Sequence, residues 1–138
     1  MPYLTKQYKF CAAHRYWNDK WSKEDNFKHF GDDIYIHGHN YTLDVTIKGR
    51  IDLDTGFIVD LQKLNEIVQR DVISIMDHKQ IELDIDWFNA RQPSTENMVL
   101  FVWGILVDQI PGSSKLFSIK LQETPTISTE YYGPESDE

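Results

Sequence analysis

From Tyr3 to His14 the side chains alternate, with Tyr8, Phe10, Ala12 and His14 on every second position. Alternation of this kind gives an extended chain one buried and one open face, and it predicts a strand. Tyr41, Leu43, Val45 and Ile47 repeat the pattern up to Gly49 and predict a second strand. Between the two, residues 17–36 show no period. Ser22 followed by Asp25 signals a helix of a turn or two there. Asp54-Thr55-Gly56 reads as a turn and Phe57 to Val59 as another short strand.

The period then changes. Asp60 suits a helix N-cap, ahead of an apolar face at Leu61, Leu64, Ile67, Val68 and Val72. Asp77 to Trp87 is expected to be a loop. A second helix is predicted from Ser94, burying Met98, Phe101, Val102, Ile105 and Leu106 and stopped by Pro111-Gly112. Phe117, Ile119 and Leu121 alternate again, and a last strand is expected near Thr129 to Tyr132. Strands, helix, helix, strands is an α+β order, with an antiparallel sheet carrying two helices on one face. The two edges of such a sheet invite pairing between subunits, so an oligomer is expected.

Composition narrows the function. A chain of 138 residues, 41% of them hydrophobic, suits one packed domain, taken as residues 1–133 with an acidic tail over 134–138. The tail carries Glu135, Asp137 and Glu138. No apolar run reaches the roughly 20 residues that cross a bilayer, and Met1 to Tyr8 lack a signal-peptide core. The net charge of -8, with no Lys/Arg cluster, argues against nucleic acid and anionic membrane as partners. Cys11 is the sole cysteine, so an internal disulfide and a thiolate zinc cluster are both excluded. A cytoplasmic location fits these features.

Chemistry enters with His37-Gly38-His39 at the start of the second strand. Residues two apart on a strand share a face, so both imidazoles can reach one ion, and Gly38 leaves the other face empty. His14 ends the first strand. If the strands are neighbours, three imidazoles converge and leave a fourth coordination place open, which is the pattern of a catalytic zinc. A bare His-x-His pair is equally compatible with two ordinary strand histidines.

Wider segments break that tie. Phe10-Cys11-Ala12-Ala13-His14-Arg15, His37-Gly38-His39-Asn40-Tyr41 and Thr55-Gly56-Phe57-Ile58-Val59-Asp60-Leu61 are followed by Met76-Asp77-His78-Lys79, Ser94-Thr95-Glu96-Asn97 and Gln122-Glu123-Thr124. In this order, and across nearly the whole chain, the sequence resembles the 6-pyruvoyl tetrahydropterin synthase and 6-carboxytetrahydropterin synthase family. The resemblance implies a tunnelling fold. In it, a four-stranded antiparallel sheet with two helices closes a barrel as a trimer, two trimers stack as a homohexamer, and active sites lie between subunits. It implies zinc (Zn2+) on His14, His37 and His39, a pterin anchor at Glu123, and a catalytic pair at Asp77 and His78. Thr95 and Glu96 are expected in the pocket, although Glu96 would also suit a helix start.

The implied reaction is a carbon–oxygen lyase step that converts 7,8-dihydroneopterin triphosphate to 6-pyruvoyl tetrahydropterin with loss of triphosphate, in tetrahydrobiopterin biosynthesis. Alternatives within the resemblance are the 6-carboxytetrahydropterin synthase reaction of queuosine biosynthesis and cleavage to a 6-hydroxymethyl pterin. A pterin- or purine-binding homologue without catalysis is a further reading. One departure bears on the choice. Family synthases carry a cysteine shortly before His-Gly-His, where this chain has Phe30-Gly31-Asp32-Asp33. Asp33 is the nearest occupant, either as a substitute base or as a plain loop aspartate. Cys11 is expected to point away from His14 as a small buried hydrophobe.

Overall fold

A computed structural model describes residues 1–136, so Asp137 and Glu138 of the expected tail lie outside the described residues. Strands β1 (Tyr3–His14), β2 (His37–Lys48), β3 (Lys115–Thr124) and β4 (Ile127–Tyr131) form one antiparallel sheet in the order β1-β2-β3-β4. The alternation is realised directly. Tyr8, Phe10 and Ala12 of β1 and Tyr41, Leu43, Val45 and Ile47 of β2 are buried on one face, beside Ile119 and Leu121 of β3.

Two helical segments cover that face. Helix α2 (Leu61–Val68) follows α1 (Lys23–Phe30) in the chain, starts on the Asp60 carboxylate and buries Leu64 and Val68. It runs on through a π-helical turn, Gln69–Ile73, to Met76, so Val72, Ile73 and Met76 are buried as well. Leu61 stays exposed, and Ile67 is only partly covered. Helix α3 (Thr95–Leu106) is capped by Ser94 and buries Met98, Val99, Val102, Trp103 and Leu106. Burial of each large aliphatic side chain here contributes about 1.5–3 kcal/mol. No helix among the described residues is long and apolar enough to cross a membrane.

Two expectations need correcting. Phe57 to Val59 is not a strand. The Ile58 carbonyl accepts the Ser114 hydroxyl instead of a ladder bond, and Phe57 closes the Asp52 turn by accepting from the Asp52 amide at 2.9 Å. The segment after Asp77 is not a plain loop either, because Ile81–Asp84 makes one helical turn and Asp86–Phe88 a 3-10 turn. The helix after Ser22 forms as expected, its hydroxyl accepting from the Asp25 amide at 3.0 Å.

The edge strand β1 is clasped near its C-terminal end. The Cys11 amide donates to Asp77 Oδ1 at 2.9 Å, the His78 amide donates to the Cys11 carbonyl at 2.6 Å, and the Ala13 amide donates to the Lys79 carbonyl at 2.8 Å. His78 takes a positive φ of 61°, rare for a residue with a Cβ and held here by those bonds on both sides. At the opposite side, the Ser94 hydroxyl accepts from the Asn97 amide at 3.2 Å and fixes the start of α3. Ser94→Ala is expected to lower stability by about 0.5–2 kcal/mol, read from urea unfolding, with the midpoint shifted and the slope unchanged.

Candidate functional site

The β1–β2 register opposes His14 to His37 and Ala12 to His39. All three histidines therefore stand on the helix-covered face at one end of the sheet. Their ring centroids are 4.6 Å apart for His14 and His37, and 5.1 Å for each of the other two pairs. One nitrogen from each ring lies within 4.8 Å of the others, close enough to share an ion.

Two of these rings are fixed in a definite tautomer. His14 Nδ1 is 2.7 Å from the Pro93 carbonyl, and His37 Nδ1 is 2.8 Å from the Tyr35 carbonyl. A carbonyl only accepts, so both Nδ1 atoms carry the proton and both Nε2 lone pairs are free to bind a metal. His14 Nε2 and His39 Nε2 are buried without a hydrogen-bond partner. Glu123 Oε1 comes within 3.2 Å of His39 Nε2 but outside hydrogen-bonding direction, so the contact is electrostatic. Buried, oriented and unpartnered imidazole nitrogens are what a borderline-soft divalent ion requires, and the donor set fits zinc.

Burial of His14 lowers its pKa, against the opposing effect of the Pro93 bond, and its two histidine neighbours lower it further. The ring is thus kept neutral, the form that binds metal.

Glu123 belongs to the same site. Thr42 pairs with Gln122, so Glu123 follows Leu121 on the buried face beside Tyr41. Its side chain is 14% exposed, at the mouth of the histidine cluster. Asp33 Oδ1 lies 3.7 Å from His37 Nε2, and its side chain is 58% exposed. The Tyr16 amide donates to the Asp33 carbonyl at 2.9 Å and holds that turn against the site. The Thr95 hydroxyl donates to Glu96 at 2.8 Å and is 2.8 Å from the Thr129 hydroxyl, tying the start of α3 to β4.

Two tyrosines join the site beyond the residues assigned to it from the sequence. Tyr16 and Tyr41 follow His14 and His39 by two residues and stand beside the cluster, at ring distances of 5.1 Å and 5.7 Å. Burial raises both phenol pKa values, with Glu123 adding to each, so both remain neutral donors. The Tyr41 hydroxyl is buried without a partner.

Asp77 and His78 are together but elsewhere. His78 Nδ1 is 2.9 Å from Asp77 Oδ2. The hydrogen bonds from the Cys11 amide and from the His78 ring hold the Asp77 carboxyl below its usual range. The partner of this pair is Cys11, whose side chain is exposed, contrary to the expected buried hydrophobe. Alternation does point it away from His14, onto the face of β1 whose side chains are mostly exposed. The pair and the histidine cluster thus occupy opposite faces. A cavity of about 720 Å³ lies at the far end between Arg50 and Lys63; among the described residues it holds no convergent set of metal donors.

The family model for 6-pyruvoyl tetrahydropterin synthase matches residues 3–134. A 6-pyruvoyl tetrahydrobiopterin synthase of Dictyostelium discoideum is 37% identical over 132 residues, covering 94% of this chain and 95% of that one. The solved 6-pyruvoyl tetrahydropterin synthase of Caenorhabditis elegans superposes with a TM-score of 0.86 at 30% identity, over 96% and 97% of the two chains. A more distant relative, a dihydroneopterin monophosphate aldolase of Pyrococcus furiosus, is 28% identical over 121 residues, covering 88% of this chain and 89% of that one. The sheet, its two covering helices and the clustered histidines define a lyase of pterin metabolism. The chain belongs to the 6-pyruvoyl tetrahydropterin synthase family.

In the metal-free protein, His14 is expected to titrate below the ordinary 6.5 and to show the Nδ1-protonated tautomer at neutral pH, as read by two-bond proton–nitrogen correlation spectra. A lowered folded pKa means that the unfolded chain binds the extra proton first. Stability should therefore be full above about 6.5 and decline as the pH falls from there towards the folded value.

Proposed function

We propose that this chain is a zinc-dependent carbon–oxygen lyase that converts 7,8-dihydroneopterin triphosphate to 6-pyruvoyl tetrahydropterin with loss of triphosphate. The observation that carries the reading is the trio of His14, His37 and His39, with two rings locked by carbonyls so that free nitrogens converge beside Glu123. Zinc held there would act as a Lewis acid on the substrate side-chain oxygens.

The chain's own residues do the rest. Glu123 accepts two parallel hydrogen bonds from the pterin amino group and ring N–H, each contributing about 1.5–3 kcal/mol in a shielded site. Thr95 and Glu96 line the pocket at the start of α3. Asp33, at the rim by His37, serves as a carboxylate base in the place where the family has a thiol. His78 relays protons, oriented and polarised by Asp77.

The location of Asp77 and His78 on the open face supports an active site built from two copies of the chain, one offering the metal centre and the other the proton relay. That is consistent with a trimer barrel stacked as a homohexamer, a cytoplasmic enzyme taking a small dihydropterin substrate. A second reading is cleavage of the side chain to a 6-hydroxymethyl pterin. It draws on the carboxylate at Asp33 and on the similarity to the aldolase.

Incubation of the zinc-loaded protein with dihydroneopterin triphosphate, with every product identified by mass, separates these outcomes: triphosphate release with a pyruvoyl product supports the first, and a hydroxymethyl pterin the second. His37→Ala is expected to bring zinc well below one per chain and to abolish turnover; full zinc content in that variant would sink the ligand assignment. Glu123→Gln is expected to weaken pterin binding by about ten-fold or more while zinc stays at its normal level. Asp33→Ala should slow turnover by about ten-fold or more and spare binding.

A further inference from the structure

A cavity of about 680 Å³ opens between the turn that leaves β1 and the segment that ends at Pro93, a volume within the range of small-molecule sites. It abuts the histidine cluster, because Pro93 lines it and the Pro93 carbonyl accepts from His14 Nδ1 at 2.7 Å. Its wall is braced by Gln92, which accepts from the Trp17 amide at 3.3 Å and donates to the Trp17 carbonyl at 2.7 Å. Two guanidinium groups lie on indoles here, Arg15 over Trp17 at 4.9 Å and Arg91 over Trp87 at 4.0 Å. Arg91 spends one N–H on the Trp87 carbonyl at 2.9 Å. Arg15 spends none. Its Nε is buried without a hydrogen-bond partner, and among the described residues its guanidinium enters no ion pair. The Glu82 carboxylate, on the same cavity, accepts from the Arg15 backbone amide instead. The charged lining is Arg15, Lys20 and Arg91 against Asp19 and Glu82, a cationic balance in a chain of net charge -8. A second cavity, of about 430 Å³, shares Arg15 and Trp17 and adds Lys23, with no acidic residue in its lining.

We propose that Arg15, with Arg91 and Lys20, forms an oligophosphate-binding subsite beside the metal centre. A guanidinium stacked on an indole keeps its N–H edge free, and that planar edge matches two phosphate oxygens at once. Stacking also fixes the group before the anion arrives, so less side-chain freedom is lost on binding. The opposing carboxylates of Asp19 and Glu82 keep the empty lining close to balance. A small monoanion therefore gains little, whereas a chain of phosphates long enough to reach all three cations gains from each. Glu82 Oε2, buried without a partner as well, is an acceptor for a protonated phosphate oxygen. Two sources share this chemistry: the triphosphate arm of the substrate, and free triphosphate after its release. The first rests on the lyase reading above, and the second does not.

The test titrates sodium tripolyphosphate into the zinc-loaded full-length protein by calorimetry, with zinc content measured before and after because the probe is itself a chelator. Arg15→Gln and the more exposed Arg91→Gln are each expected to weaken binding by about ten-fold, with zinc content and affinity for phosphate-free neopterin unchanged. Lys63→Gln, at the far end of the molecule, is expected to change nothing. No binding by the wild type, equal affinity in both arginine variants, or an equal loss in Lys63→Gln overturns the subsite. Steady-state kinetics with dihydroneopterin triphosphate then separate the sources. A KM raised about ten-fold in the arginine variants, with kcat little changed, assigns the subsite to the substrate arm. An unchanged KM beside weakened tripolyphosphate binding assigns it to the free anion. Arginine-dependent binding in a protein that leaves the substrate untouched upholds the subsite and removes the lyase reading instead.

Discussion

The convergence of the three histidines depends on the register between β1 and β2. Opposing His14 to His37 in a ladder of period two decides that His14, His37 and His39 share a face. A slip of one residue would send one strand's histidines to the other side and scatter the cluster. The register is enforced well away from the histidines. Tyr8, Phe10, Leu43, Val45 and Ile47 must all remain under the helices, and a slip would expose one strand's whole apolar set. The hydrophobic core thereby sets the geometry of the polar site.

The same alternation separates two kinds of chemistry by the thickness of a single sheet. On the covered face, His14 is buried and kept neutral, His14 and His37 are locked to carbonyls, and Glu123 stands at the mouth. On the open face, a thiol, an imidazole and a carboxylate meet in an exposed cleft. Metal binding favours the first environment, because burial suppresses the protonated ring that would compete with the ion.

Much of this was legible in the order of residues. The run Tyr41, Leu43, Val45, Ile47 announces both strand and buried face, and Ser22, Asp60 and Ser94 announce the helix starts that the structure contains. Phe57 to Val59 misled because a short apolar run carries no period of its own, and the Ile58 carbonyl is taken by a side chain. The π-helical turn before Asp77 is invisible in a pattern of apolar positions. Cys11 shows the limit most clearly. Alternation gave its direction, but whether that face is covered depends on where distant helices pack. Tyr16 could have been found by carrying the period one step past His14, and Tyr41, already in the alternation of β2, by noting that it follows His39 on the same face.

The clasp on β1 also governs how this sheet can be extended. Along the free margin of the strand, the backbone groups that face outward belong to alternate residues, among them Tyr3, Thr5, Gln7, Lys9, Cys11 and Ala13. The last two are already engaged by the segment from Asp77 to Lys79. A neighbouring strand can therefore zip only along the stretch before Cys11, and the clasp acts as a stop that keeps the mouth beside the thiol from being sealed by β-addition.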